Sequence, residues 1–367
     1  MEIISKTKNY LHDTGVRFML TVPAAVLAAS VILMITGIIF CITIPRSRPE
    51  RNVASVWEQG GTVPYCHVAV YGHGSRSGGE RTPASYVEYG NSLMKTDIYN
   101  LRKSMQGSVD TTFSVKRKTS EKPIDPEGWE DAFCSFVTAD IKCEHQDFQV
   151  ESDAVVYAVS GNFRAFHPFE FMSGGFLPVE SVDRYQIVLN ESLAWKFFSS
   201  CDVVGERVTL WGKDFTVIGV VREHDDKDLR AYVYFECLEE YCAGLEVPVT
   251  PAVMCYEALI PEVIKGSALM EIRNTVPGYD ISSPSLYVVS ITRRFTPARI
   301  WDHMMPPDEM REFLQSYELP FWEVSAQKDI TYLFVWMTVL VISVLFVMCT
   351  VMLLLRGRRR SPGPVAE

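Results

Sequence analysis

The stretch that decides the fold runs Tyr185-Gln186-Ile187-Val188-Leu189-Asn190-Glu191-Ser192-Leu193-Ala194, then Val204-Gly205-Glu206-Arg207-Val208-Thr209-Leu210, and ends Asp214-Phe215-Thr216-Val217-Ile218-Gly219-Val220-Val221. Ile187 to Leu189 is a short apolar run and predicts a buried strand. Asn190 stands where an N-cap belongs, because its side chain can accept from the free amides of a first helical turn. Leu193, Ala194, Phe197 and Phe198 follow at three- and four-residue spacing, one apolar helix face. Arg207 to Leu210 and Phe215 to Val221 are β-rich. The glycine in Trp211-Gly212-Lys213-Asp214 suits a tight turn between them, so the pair predicts a hairpin.

Two apolar segments lie outward of this stretch, near the ends of the chain. Phe18 to Pro45 contains no charged residue, and neither does Ile330 to Leu355. Each exceeds the roughly 20 residues needed to cross a bilayer core. The first continues apolar past any small-residue cleavage signal, which separates it from a secretory leader. The expected order is a segment 1–19, a membrane helix 20–44 and a Pro-, Gly-, Ser- and Arg-rich connector 45–81. An outer domain 82–328, a second membrane helix 330–355 and a basic tail 356–367 follow. Arg356, Arg358, Arg359 and Arg360 follow the second span, while Lys328 alone closely precedes it. Basic residues favour the cytoplasmic side, so both ends are expected inside and the central domain outside the cell membrane.

Within the connector, Val63 to Tyr71 alternates as a strand, and the domain follows it. Residues 82–106 read as the longest outer helix, with Thr82 as cap and Pro83 in the first turn. Val109 to Val115 alternates as a strand, and 119–131 is a polar loop. Strands are predicted at Phe133 to Val137, Val155 to Val159, Ala231 to Phe235 and Leu286 to Ile291. Residues 140–153 form a loop or hairpin. Helices are predicted from Phe235 through Tyr241, over 261–275 and over 306–317. The fold class is α+β. The mixed outer domain has two lobes, a βα lobe from 82–118 and 285–320 and a β-rich lobe over about 119–284.

The chemistry-bearing residues assemble no site. There is no Gly-x-Ser-x-Gly, His-Glu-x-x-His or Walker pattern. Gly72 to Gly79 is glycine-rich but lacks the Lys-Ser/Thr ending of a phosphate-cradling loop. His67, His73, His145, His167, His224 and His303 are scattered. In the charged segment Arg222 to Arg230, Arg222-Glu223-His224-Asp225-Asp226-Lys227-Asp228 has metal-ligating residue types, but its spacing fits no EF-hand and Lys227 and Arg222 offset its charge. It reads as a solvated turn. No catalytic, cofactor-binding or metal residue is assigned, and no cofactor is expected. The net charge of −10 argues against a nucleic-acid partner. Of the nine cysteines, Cys41 and Cys349 lie in the spans. Cys134 with Cys143, or Cys237 with Cys242, could close small loops, whereas Cys201 and Cys255 read as small buried hydrophobes.

The quoted order of strand, Leu-Asn-Glu-Ser-Leu-Ala, aromatic pair, Val-Gly-Glu-Arg-Val, turn and Phe-Thr-Val-Ile-Gly-Val-Val resembles the extracytoplasmic core domain of MacB/FtsX-type ABC transporter permeases. Gly174-Gly175-Phe176-Leu177-Pro178 adds to the resemblance, which covers about 155–222. It implies a non-catalytic membrane subunit whose outer domain couples ATP-driven motion to extracytoplasmic partners or cargo. The implied partners are the lipid bilayer, a separate ABC ATPase, and a fuller permease subunit or another copy of the chain. Family members carry four spans and this sequence carries two, so a half-permease that assembles through Val335 to Leu355 is expected. The alternative is a membrane-anchored sensor or ligand-binding protein that kept the fold and has no transport role.

Overall fold

In the computed structural model, which describes residues 25–58, 63–72, 93–119, 128–145, 148–223, 228–262, 264–276, 286–306 and 319–360, the quoted stretch folds as its pattern predicts. Strand β5 (Gln186–Asn190) runs into helix α5 (Glu191–Phe198). The Asn190 Oδ1 accepts from the Leu193 amide at 3.1 Å and from the Arg230 amide at 3.0 Å, and its Nδ2 donates to the Asp228 carbonyl at 2.7 Å. One buried side chain therefore starts the helix and holds the neighbouring strand. Strands β6 (Arg207–Leu210) and β7 (Lys213–Arg222) form the hairpin. Its two-residue turn has φ of 54° at Trp211 and 72° at Gly212, the doubly positive pair that matches the twist of flanking strands.

Two helices, α1 (Ala25–Arg46) and α9 (Phe321–Arg360), contain stretches long and apolar enough to cross a membrane. The first and most of the second make up one compact unit, and Arg48–Ala326 makes up another. In the helical unit the Phe40 and Trp336 rings stack at 4.3 Å. Ser30, Thr36, Thr338 and Thr350 donate to carbonyls four residues back, which satisfies their hydroxyls without water.

The outer unit is built on one ten-stranded sheet. It adds β1 (Tyr65–Tyr71), β2 (Glu130–His145), β3 (Phe148–Gly161), β4 (Glu170–Gly174), β8 (Arg230–Tyr234), β9 (Cys255–Pro261) and β10 (Tyr287–Ser290). The order is β10-β1-β9-β2-β3-β8-β5-β7-β4, with β6 bridging β2 and β7. The 140–153 stretch forms the end of a long hairpin. Glu130 to Cys134 of β2 pair with β9, while Ile141 and Lys142 pair with β6, so one strand serves both halves of the sheet.

Helix α2 (Val53–Glu58) precedes β1, and helices α3 (Lys95–Thr119), α6 (Phe235–Ala243) and α7 (Ser267–Thr275) cover one face of the sheet. Asp97 accepts from the Met94 amide at 2.9 Å and fixes the start of α3, while Ile98, Leu101 and Met105 are its buried stripe. Arg102 grips Asp131 with two bonds of 2.7 and 2.8 Å, and the Tyr256 hydroxyl donates to the same carboxylate at 3.2 Å.

Several expectations need correction. Val109 to Val115 is helical, part of α3, not a strand. Seven residues of alternation are too few to outweigh a helix already nucleated on a buried stripe. The helix expected over 261–275 begins only at Ser267, because Cys255–Pro261 is a fully buried strand. The short helix α8 (Pro297–Met304) was not anticipated. The start of the 82–106 helix and the 306–317 helix lie largely outside the described residues.

Gly174 and Gly219 have a steric reason. Gly174 has φ of +64°, and a Cβ there would sit 2.1 Å from the Ile218 carbonyl oxygen; one on Gly219 would sit 2.1 Å from that of Gly175. Gly174→Ala should cost about 2–3 kcal/mol in urea unfolding of the outer unit. Gly212→Asn, in open space at a turn, should cost less than about 1 kcal/mol. Asn190→Ala, which strips the cap and strands two backbone partners, should cost about 2–3 kcal/mol.

Candidate functional site

Period-two alternation collects an unusual set of side chains on the sheet face opposite α3, α6 and α7. On β1 these are His67 and Tyr71; on β9, Cys255 and Glu257; on β2, Cys134 and Phe136; on β3, Tyr157; on β8, Arg230 and Tyr232. Onto this face comes the first turn of α9: Phe321, Trp322, Glu323 and Ser325.

The turn is held by charge as well as by packing. Glu323 is 1% exposed. Its Oε2 accepts from the Tyr71 hydroxyl at 2.8 Å and from Arg294 Nη2 at 2.5 Å. Arg48 Nη2 donates to Ser325 Oγ at 2.7 Å. The Arg230 guanidinium lies 3.9 Å from the centre of the Phe321 ring, and the Phe321 amide donates to the Tyr157 hydroxyl at 3.4 Å. Arg230 is itself paired with Glu223 at 2.5 Å, and the Tyr232 hydroxyl donates to the same carboxylate. The crowding of rings continues at Trp322, which packs on Tyr157, Phe163 (of the short helix α4, Phe163–Phe166) and His167 at 5.3, 5.7 and 4.3 Å.

Beside Trp322 two histidines share one carboxylate. His67 Nε2 is 3.1 Å from Glu257 Oε1, and His167 Nε2 is 2.6 Å from Glu257 Oε2. All three are buried. Burial pushes the Glu257 carboxyl up, but His167 and His67 pull it further down, so it is held well below the usual carboxylate range. A fourth buried carboxylate, Glu262, is paired with Arg293. Burial also pushes the Tyr71 hydroxyl well up, with Glu323 adding to the rise, so Tyr71 stays a donor. The cavity against Arg48, Glu257, Arg294 and Trp322 measures about 20 Å³, room for about one water and far too small for an organic substrate.

Scattered in sequence, His67 and His167 thus meet in space. The described parts of the Arg222 to Asp228 segment also depart from the solvated turn expected of it: Glu223 is buried against Arg230. His224, Asp225, Asp226 and Lys227, which carried the metal reading, lie outside the described residues, as does His73. Among the described residues no group of three His, Cys, Asp or Glu side chains is placed to hold a metal ion. No two of the nine cysteines are joined by a disulfide in this structure. What the arrangement does chemically is lock a helix end to a sheet; it presents no nucleophile to solvent.

Residues 89–241 match the family described as the MacB-like periplasmic core domain. No curated protein matches the chain. Among solved structures the chain is similar to the periplasmic region of MacB from Actinobacillus actinomycetemcomitans, at 13% identity over 71% of this chain and 97% of that one, with a TM-score of 0.40. It is also similar to the extracellular domain of the noncanonic ABC-type transporter YknZ from Gram-positive bacteria, at 13% identity over 61% of this chain and 99% of that one, with a TM-score of 0.39. Glu223 and His167 fall inside the matched stretch, whereas His67, Tyr71, Glu257, Arg294 and Glu323 lie beyond it.

The Glu257 arrangement has a signature in acid. Its folded pKa lies below the unfolded one, so its contribution to stability is complete above the ordinary carboxylate range and is lost as pH falls through the folded value. Urea midpoints of the solubilised chain should fall steeply below about pH 4, and Glu257→Gln should remove about one proton from that slope.

Proposed function

We propose, from the match of residues 89–241 to the MacB-like periplasmic core domain, that this chain is a non-catalytic membrane subunit of a MacB/FtsX-type ABC system. Its outer unit couples ATP-driven motion of a separate ATPase to partners or cargo outside the cytoplasm. Both termini face the cytoplasm, and the central unit lies outside.

The observation that carries this reading is the lock on the first turn of α9. A helix that continues as a membrane span can transmit displacement only if its outer end does not slip. Apolar contacts alone tolerate sliding, because one aliphatic surface is much like another. The pairs Glu323–Arg294 and Ser325–Arg48 do not, because each slip would leave a buried charge or polar group without a partner. That costs about 3–5 kcal/mol for a buried ion. The grip also reaches both halves of the sheet, through Tyr71 on β1 and through Tyr157 and Arg230 on β3 and β8. The head of α9 is therefore fastened to the sheet at several points, so it cannot slip along that face.

The test is affinity purification of the full chain from the membranes of its own host. An ABC ATPase and a fuller permease subunit should come with it, and replacing Val335 to Leu355 by an unrelated apolar span should release them. Recovery of the chain without any ATPase under conditions that preserve other ABC complexes defeats the reading. A chain carrying Glu323→Gln and Arg294→Met should still insert and co-purify, since the pair is removed together, but fail to restore function to a strain lacking the gene. Protease added to intact cells or spheroplasts should remove the outer unit and spare the arginine-rich tail.

A further inference from the structure

Cys134 on β2 and Cys255 on β9 are direct register partners across an antiparallel pairing. Both lie on the sheet face that carries Glu257, and their exposures are 0% and 1%. Directly opposed residues of antiparallel strands have Cα atoms about 4.5–5.5 Å apart. A disulfide needs about 4.4–6.8 Å. Among the described residues no other two cysteines are register partners: Cys66 faces Ile260, and Cys143 faces Val150.

The pairings suggested by short sequence spacing fail on geometry. Cys134 and Cys143 lie nine residues apart on the extended β2, which separates them by about 30 Å. Cys237 and Cys242 are five apart on α6 and point roughly 140° away from each other.

We propose that Cys134 and Cys255 are a disulfide-forming pair that staples β2 to β9, an inference that rests on the outward placement of this unit for its oxidising surroundings. The step is thiol–disulfide exchange with a donor disulfide, either a protein oxidoreductase or a small-molecule disulfide. The thiolate of one cysteine attacks the donor, forms a mixed disulfide and expels one donor thiolate. The thiolate of the second cysteine attacks the mixed disulfide and expels the other. The chain loses two electrons and two protons, and the donor disulfide becomes two thiols. Burial pushes the Cys255 thiol well up in the folded unit, so exchange belongs to the folding chain, before β9 closes on β2. The bond would close a loop of about 120 residues that holds β3 to β8, and it would constrain that half of the sheet in the unfolded chain.

The test is a thiol count. The full chain in membranes is acid-quenched, denatured in detergent and treated with maleimide-polyethylene glycol. Seven of the nine cysteines should react without reductant and nine after reduction. Cys134→Ser and Cys255→Ser should each give the same count with and without reductant, while Cys143→Ser should keep a difference of two. The count is repeated on purified full chain that has been reduced, unfolded and refolded in a glutathione redox buffer. A difference of two in both samples supports the pair. A difference of two only after refolding also supports it, and places the error in the outward placement. Nine reactive thiols without reductant in both samples overturns the proposal, as does a difference that follows Cys143.

Discussion

A carboxylate taken out of water must be given its counter-charge and its hydrogen bonds on the spot, and among the described residues this chain meets that demand at four glutamates. Glu223, Glu257, Glu262 and Glu323 are each 6% exposed or less, and they are matched by Arg230, by His67 with His167, by Arg293 and by Arg294. Such pairs are poor sources of net stability, because desolvation consumes most of the attraction. Their value lies in what they forbid. Each partner tolerates one position of the other, so the first turn of α9, the turn after β10 and the strands β1, β8 and β9 can be assembled in one arrangement. The aromatic packing of Tyr157, Phe163, Trp322 and Phe321 fills the space that the charges define.

The same demand explains what could be read from sequence and what could not. The quoted central stretch was legible because its signals are local. Asn190 caps the helix that follows it, Trp211 and Gly212 make the turn between the strands beside them, and Leu193 and Phe197 bury one helix face. The apolar spans were legible for the same reason. Val63 to Tyr71 also declared itself by alternation. The charged core did not. Glu257 interrupts the apolar run from Met254 to Ile260, so this fully buried strand carries no continuous apolar signal. Nothing near Glu257 in the chain announces that His67 and His167, some 190 and 90 residues away, will converge on it. Glu223 and Arg230 looked like members of a solvated turn because the burial that pairs them comes from Tyr232 and the head of α9. A charge is judged exposed by default, and only the tertiary structure supplies the exception.

The cysteines teach the converse. Short spacing in sequence suggested pairs that an extended strand and a helix hold apart, while two residues about 120 positions distant stand opposite each other. Sheet order decides which residues are neighbours, and the β2 strand, long enough to pair with β9 at one end and with β6 at the other, sets that order for both halves. Neither half could be removed without leaving the other an open edge.

The hydrogen bond between Arg48 and Ser325 has one more consequence. These residues are the first and nearly the last of the outer unit, so the chain enters and leaves it through a single doorway. A module with such adjoining ends is a cassette: it can be received by any pair of neighbouring helices without a linker to bridge a gap, and swapped for another whose ends are set equally close.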